Sequence, residues 1–114
     1  GAEAAEGREI TLARGAVIGH DLSASGSAPA VHLAAAGECL FNDNRVELTG
    51  GNRVAAVNLR THVAIVNANR VRGGETSIRI DGAKSAAVLG NITTGGIQIP
   101  GGLQPPWDAL NLRA

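Results

Sequence analysis

Residues 64–71 read Ala-Ile-Val-Asn-Ala-Asn-Arg-Val, and two other segments of the chain follow the same pattern. Residues 39–46 read Cys-Leu-Phe-Asn-Asp-Asn-Arg-Val, and residues 86–93 read Ala-Ala-Val-Leu-Gly-Asn-Ile-Thr. Alignment of the three segments places three asparagines in one column: Asn44, Asn69 and Asn91. A pair of glycines follows each segment. A pattern that recurs in this way at a spacing of roughly 20 to 50 residues is typical of proteins built from stacked repeats.

A second, shorter unit consists of two apolar residues on either side of a variable one. Its five copies begin 21, 26, 21 and 19 positions apart and read Ile10-Thr11-Leu12, Val31-His32-Leu33, Val57-Asn58-Leu59, Ile78-Arg79-Ile80 and Ile97-Gln98-Ile99. This alternation predicts very short strands whose middle residue points away from the core. Helices fit poorly, because glycines interrupt the chain throughout and destabilise helix interiors.

The two units alternate in the same order, which predicts a β-solenoid with one coil per repeat. Consecutive coils would stack about 4.8 Å apart through parallel hydrogen bonding, so that small aliphatic residues lie above their equivalents. The asparagines would lie at sharp corners, where Asn tolerates a left-handed backbone and stacked amides exchange hydrogen bonds along the axis. In the first coil, Ser23 is expected at the position of these asparagines.

The triplets and the Asn44, Asn69 and Asn91 column resemble the right-handed parallel β-helix, or pectin-lyase-like, superfamily over about residues 9–100. The resemblance implies an all-β, right-handed parallel β-helix solenoid of about 4–5 coils with a C-terminal cap. That superfamily includes polysaccharide lyases, hydrolases, phage tailspikes, adhesins and non-catalytic modules, so the resemblance implies an architecture without an activity. It also implies an extracellular or particle-associated location, and self-association of short modules as trimers or end-to-end stacks.

The sequence divides into three segments. Residues 1–8 are polar and lack a Met, which favours a tag remnant or the cut end of a longer protein. Residues 9–100 are expected to hold the coils. Residues 101–114 break the repeat with prolines and are expected to form a cap, because a solenoid end exposes a sheet edge. The residues expected to cover the last coil, or to anchor a partner chain, are Leu103, Trp107, Leu110 and Leu112.

Composition excludes several classes of function. Ten basic and ten acidic side chains cancel, and aromatic residues make up 2% of the chain, so nucleic-acid binding is not expected. No apolar run approaches the roughly 20 residues of a membrane span. The single cysteine, Cys39, forms no internal disulfide, and its alignment with Ala64 and Ala86 predicts a small buried side chain.

The sequence predicts no catalytic residue, no metal site and no cofactor. His20, His32 and His62 lack the close spacing of zinc ligands. Asp43 and Glu47 could lie near each other, as a glycosidase would need, but Asp43 aligns with turn residues. The glycine pairs are not followed by the Lys-Ser/Thr of a phosphate-binding loop.

The outward residues of the triplets form the best candidate for a binding surface. Stacking would place them on one polar strip that consists of Thr11, His32, Asn58, Arg79 and Gln98. A glycan is the partner that such a strip suits, although it lacks aromatic platforms, and the alternative is a solvated sheet face. Arg45 and Arg70 should also stack, and they repel each other unless an acid such as Glu47 intervenes or an anion binds.

Three functions remain open. The first is a non-catalytic structural or interaction module, part of a larger surface, tailspike-like or secreted assembly. The second is a carbohydrate-binding module or a fragment of a polysaccharide-degrading enzyme. The third is a scaffold that polymerises through its own ends. The short length and the missing catalytic constellation favour the first.

Overall fold

The structure, a computed structural model, describes residues 9–50, 53–99 and 108–114, with side chains for residues 14–50, 53–99 and 109–114. Within these residues the chain is all-β and contains no helix. Its strands are β1 (Glu9–Ile18), β2 (Asp21–Ser25), β3 (Val31–Asn42), β4 (Arg45–Thr49), β5 (Ala55–Asn67), β6 (Arg70–Arg72), β7 (Thr76–Asp81), β8 (Ser85–Leu89), β9 (Ile92–Thr93), β10 (Ile97–Gln98), β11 (Asp108–Ala109) and β12 (Leu112–Arg113).

The strands wind into a parallel β-solenoid of about four turns, as the repeat predicts. Each turn passes along three sides, and every strand pairs in parallel with its equivalent in the next turn. The first side contains residues 9–12, 31–35, 55–61, 76–81 and 97–98. The second side contains residues 14–18, 38–42, 63–67, 85–89 and 108–109. The third side contains β2, β4, β6, β9 and β12.

The interior is filled by columns of similar aliphatic residues. On the first side, Val31 pairs with Val57, Val57 with Ile78, and Ile78 with Ile97. On the second side, Phe41 pairs with Val66 and Val66 with Val88. Phe41, Val57, Val66, Ile78 and Val88 are all 0% exposed. Burial of an aliphatic or aromatic side chain of this size contributes about 1.5–3 kcal/mol, so these columns are the main apolar contribution to stability.

The register of the first turn differs from the expected one. Ile10 pairs with Leu33 and Thr11 pairs with Ala34, whereas the triplet alignment placed Thr11 on His32. The residue that pairs with His32 is Glu9. An apolar-variable-apolar pattern repeats every two residues, so a shift by two positions leaves each residue on the same face. The expected place of Thr11 in the polar strip is therefore wrong by two residues.

A corner between the second and third sides is built from a left-handed residue followed by an asparagine. Asp43 and Ala68 have φ of 56° and 57°, and the asparagine after each is buried. Positive φ also occurs at the equivalent residues of the other turns, which are Gly19, Gly90 and Leu110. The expectation that the asparagines themselves adopt the left-handed backbone is therefore wrong.

The first turn carries a different residue at this corner from the one expected. Asp21 pairs with Arg45, which places His20 in register with Asn44. Ser23 instead pairs with Glu47 on the third side. The backbone N–H of His20 donates to Oδ1 of Asn44 at 2.9 Å. His20, and not Ser23, is therefore the first residue of the asparagine column.

Part of the C-terminal segment continues the solenoid. Asp108 and Ala109 pair with Val88 and Leu89 of β8, and β12 pairs with β9. Leu110 and Leu112 are 85% and 61% exposed, so neither side chain is buried against the last turn. Leu103 and Trp107, which were expected to complete a cap, lie outside the described residues.

Candidate binding surfaces

Four of the five residues predicted to form the polar strip lie side by side. His32 pairs with Asn58, Asn58 with Arg79, and Arg79 with Gln98 on the first side. Adjacent members are one strand spacing apart, about 4.8 Å. Thr11 does not belong to this row, since it pairs with Ala34. The polar strip is therefore defined here as His32, Asn58, Arg79 and Gln98.

The polar strip has two distinct local environments. Nε of Arg79 donates to Oδ1 of Asp81 at 3.2 Å, so this guanidinium already has a carboxylate partner. Oδ1 of Asn58 is buried and has no hydrogen-bond partner among the described residues. A buried amide oxygen without a partner is energetically unfavourable, by about 1–3 kcal/mol. Asn58 therefore has a buried amide oxygen that could still accept a hydrogen bond.

A groove on the third side is lined by most of the charged residues of that side. Its volume is about 520 Å³. Its charged lining residues are Asp21, Arg45, Glu47, Arg70 and Arg72. The uncharged side chains toward its C-terminal end include Ile92, Thr94 and Ala114. We name this feature the arginine groove.

Strand register fixes the order of charges in the arginine groove. Asp21 pairs with Arg45, Arg45 with Arg70, and Arg70 with Ile92. In the neighbouring row, Glu47 pairs with Arg72. Arg70 therefore has Arg45 in register on the preceding strand and Arg72 two residues along its own strand. No acidic residue is in register with it.

The asparagine corner forms a continuous chain of side-chain hydrogen bonds, which we call the asparagine ladder. Oδ1 of Asn69 accepts from the backbone N–H and from Nδ2 of Asn44, at 2.9 and 3.1 Å. Asn91 and Asn111 repeat this arrangement one and two turns later. Each Nδ2 also donates to a backbone carbonyl of the preceding turn, at 2.7–2.9 Å. The ladder is thus satisfied internally and has a single direction.

The asparagine ladder is open at its C-terminal end. In every preceding turn the backbone N–H of the asparagine donates to Oδ1 of the next asparagine. The N–H of Asn111 has no such acceptor within the described residues. The strands of this turn, β10, β11 and β12, each pair with only one other described strand. Leu110 and Leu112 are exposed beside this edge.

Cys39 is a structural residue. It is 0% exposed and pairs in register with Ala64, which in turn pairs with Ala86. Burial raises the pKa of the Cys39 thiol to about 12. Because the thiolate is the nucleophilic form, this environment makes Cys39 unreactive near neutral pH.

The remaining chemically active residues are dispersed. His62 is exposed near the bulge that shifts the register between Ala35 and Glu38, and it lines a depression of about 350 Å³ with Arg60. Among the described residues, no three His, Cys, Asp or Glu side chains come together as metal ligands. The part of the chain that the structure describes includes no helix able to cross a membrane.

Comparisons with known proteins gave no relative. The sequence matches no model of a known protein family, no curated protein and no solved structure.

Three residues with roles in these surfaces escape analysis of the sequence. Arg72 lies two positions after the Asn-Arg-Val motif, and a comparison of outward rows would have found it beside Glu47. Asn111 is 20 positions after Asn91, close to the repeat length, but it follows the prolines that interrupt the pattern. His20 carries no signal, because only its backbone N–H takes part in the ladder.

Proposed function

We propose that this chain is a non-catalytic structural and interaction module whose C-terminal end associates with another protein surface. The open end of the asparagine ladder at Asn111 is the observation that carries the proposal. The N–H of Asn111 is positioned to continue a ladder that every preceding turn completes. A partner could be a second copy of the chain, as a trimer or an end-to-end stack, or the remainder of a longer parent chain.

Two further features support association at this end. Strands that pair on one side present unpaired backbone groups, which readily accept another strand. Leu110 and Leu112 add exposed apolar surface beside those groups. Exposed leucines at an unpaired edge favour a protein partner, since burial of both the backbone groups and the side chains is then gained together.

The oligomeric state in solution tests the proposal. Light scattering after size-exclusion chromatography should give a mass of several chains, three for a closed trimer. Replacement of Leu110 and Leu112 by Glu should shift the mass toward that of one chain. Leu89→Glu is the matched control, because Leu89 is 41% exposed but lies one turn away from the last edge. A wild-type chain that stays monomeric at all concentrations would contradict association of copies.

A scaffold that polymerises through its ends is a variant of the same proposal. Negative-stain electron microscopy separates the two, since a scaffold forms filaments and a closed assembly forms particles of one size. If the wild-type chain is monomeric, the remaining form of the proposal is association with the rest of a longer parent chain. A chain extended by the residues that adjoin it in its parent should then unfold at higher urea concentration, and an unchanged midpoint would end the proposal.

Carbohydrate binding on the polar strip is a second candidate, favoured by the unpartnered Oδ1 of Asn58. Sugar hydroxyls donate hydrogen bonds, and one could reach this oxygen after a side-chain adjustment. A glycan array with the wild-type chain and with Asn58→Leu tests the idea. Binding that disappears in the variant supports the strip, and an array without signal removes it.

A further inference from the structure

We infer that the arginine groove is an oxyanion-binding site for a phosphate or sulfate group, centred on Arg45, Arg70 and Arg72. This inference does not depend on association at the C-terminal end, because the three arginines lie on the third side of the second and third turns.

Strand register holds the like charges of Arg45, Arg70 and Arg72 close together. Arg45 and Arg70 are register partners in adjacent parallel strands, so their Cα atoms are about 4.8 Å apart. Arg72 follows Arg70 by two positions and points to the same face, about 6.6 Å along the strand. All three are exposed, and Val71 between them is buried. Like charges that are directly opposite each other across strands are destabilising.

The nearby carboxylates, two against three guanidiniums, offset only part of this positive charge. Asp21 is the register partner of Arg45, and Glu47 is that of Arg72. Nevertheless, within the part of the chain that the structure describes, no ion pair joins either carboxylate to any of the three guanidiniums. Arg70 has no acidic register partner at all. An external anion would therefore be attracted by Arg70 and would reduce its repulsion with Arg45.

Three guanidiniums favour a ligand group with tetrahedral geometry. Guanidinium groups bind oxyanions through paired N–H donors, and Arg is favoured over Lys where this geometry matters. A carboxylate offers two oxygens in a plane, which one or two guanidiniums satisfy. Phosphate and sulfate offer three or four oxygens in a tetrahedron. Three guanidiniums that approach from two strands therefore match the tetrahedral groups better.

The size and lining of the groove also limit which molecules could carry the oxyanion. Its volume of about 520 Å³ lies in the range of sites for small organic ligands and exceeds the needs of a bare ion. Ile92, the register partner of Arg70, provides apolar contact beside it. A phosphate or sulfate ester of a small molecule, such as a sugar, would use both parts. A free phosphate or sulfate ion would use the arginines alone.

Isothermal titration calorimetry at constant ionic strength tests the site, with sodium phosphate, sodium sulfate and glucose 6-phosphate as probes. We expect saturable binding of one anion per chain. Arg70→Gln should weaken it about tenfold or more, because charge-assisted hydrogen bonds are lost. Arg14→Gln is the matched control: it removes the same charge from an 80% exposed side chain on the second side, and binding should change less than about twofold.

Glu47→Gln provides a test in the opposite direction. Loss of the carboxylate beside Arg72 removes repulsion of the incoming anion, so binding should tighten severalfold. A surface that attracts anions only by net charge would respond equally to Arg70→Gln and Arg14→Gln, and that result would overturn the inference. Thermal unfolding monitored by circular dichroism confirms that each variant is folded before titration.

The probes separate the two sources of the oxyanion. Glucose 6-phosphate that binds at least about tenfold more tightly than inorganic phosphate assigns the site to an ester. Equal affinities for the two assign it to a free ion. No saturable binding of any of the three probes up to about 10 mM, well above a 1 mM dissociation constant, would overturn the inference.

Discussion

Oδ1 of Asn69 accepts two hydrogen bonds from Asn44, one from its backbone N–H at 2.9 Å and one from its Nδ2 at 3.1 Å. A single side-chain atom therefore holds both the main chain and the side chain of the residue one turn earlier. Asn69 in turn donates its own Nδ2 to the carbonyl of Phe41 at 2.7 Å. Both asparagines are buried, so water cannot replace these bonds.

Asn69→Ala should accordingly reduce the free energy of unfolding by more than about 3 kcal/mol. The substitution leaves two donors of Asn44 and the Phe41 carbonyl without partners, and each unsatisfied buried group destabilises by about 1–3 kcal/mol. Asn67→Ala is the matched control, because the side chain of half-buried Asn67 makes one hydrogen bond within the described residues, in which Oδ1 accepts from the Leu89 N–H at 3.2 Å. We expect a loss of about 1 kcal/mol there. Urea unfolding measures both, and equal losses would contradict a special role for the ladder.

Ala68→Gly should stabilise the protein, although glycine usually destabilises β-structure. Ala68 has φ of 57°, a backbone that is unfavourable by about 1–2 kcal/mol for residues with a Cβ. Glycine removes this strain, but it destabilises the folded state by about 0.5–1 kcal/mol because the unfolded chain gains entropy. The free energy of unfolding should therefore rise by about 0.5 kcal/mol. Ala87→Gly, within β8, should instead destabilise. A shift of the thermal midpoint in the same direction for both variants would argue against strain at Ala68.

Gly74→Ala should be much more damaging than Gly90→Ala. Gly74 has φ of 79°, and a Cβ there would lie 2.6 Å from both the Ala56 nitrogen and the Thr76 oxygen. Since backbone atoms cannot move aside easily, we expect a loss of about 3 kcal/mol or more. Gly90 has φ of 67° and open space around its Cβ position, so Gly90→Ala should cost only about 1–2 kcal/mol. Chemical denaturation of the two variants under one set of conditions compares them directly.

The Cys39 thiol predicts a loss of stability at alkaline pH. Its pKa is raised by burial to about 12, whereas a thiol in an unfolded chain has a pKa of about 8.5. As pH rises above about 8.5, the unfolded state loses its proton first, so the free energy of unfolding falls until pH reaches about 12. At pH 10 this effect amounts to roughly 2 kcal/mol.

Cys39→Ala isolates that effect, because alanine occupies the same column at Ala64 and Ala86. Between pH 7 and pH 10, the free energy of unfolding of the wild type should fall by about 2 kcal/mol more than that of the variant. The native thiol should also react slowly with a disulfide reagent at pH 8. Reaction as fast as that of free cysteine would show that Cys39 is accessible.

The sequence was sufficient to predict the solenoid fold and those columns of stacked residues in which two kinds of sequence signal coincide. Phe41, Val66 and Val88 align because an apolar pattern and an asparagine three positions later both mark the register. The polar strip from His32 to Gln98 follows from the same alignment. Where both signals are present, a shift of the strand register by two residues would move the asparagine out of the corner.

The first turn could not be placed in this way, because its corner has no asparagine. The alternation of Ile10, Thr11 and Leu12 fits two registers equally well, since strand side chains repeat every two residues. The actual register depends on the Gly19 backbone at φ 70° above Asp43. The stacking of Arg45 on Arg70 was predicted from the Asn-Arg-Val alignment and is confirmed, whereas the place of Asp21 beside Arg45 depends on the register of the first turn.

The one-way direction of the asparagine ladder restricts the symmetry of any assembly formed through its open end. A two-fold axis across that end would oppose two Asn111 residues, so that a donor meets a donor. A contact with the opposite end of another copy is heterologous and leaves a fresh Asn111 donor exposed. The corner residue at that end is His20, which has no amide oxygen, so such a contact pairs backbone strands without extending the chain of amides. Growth by that contact has no built-in stop and gives a polar fibre. In a closed trimer formed at this end, Leu110 and Leu112 would supply the contacts and the three ladders would stay open.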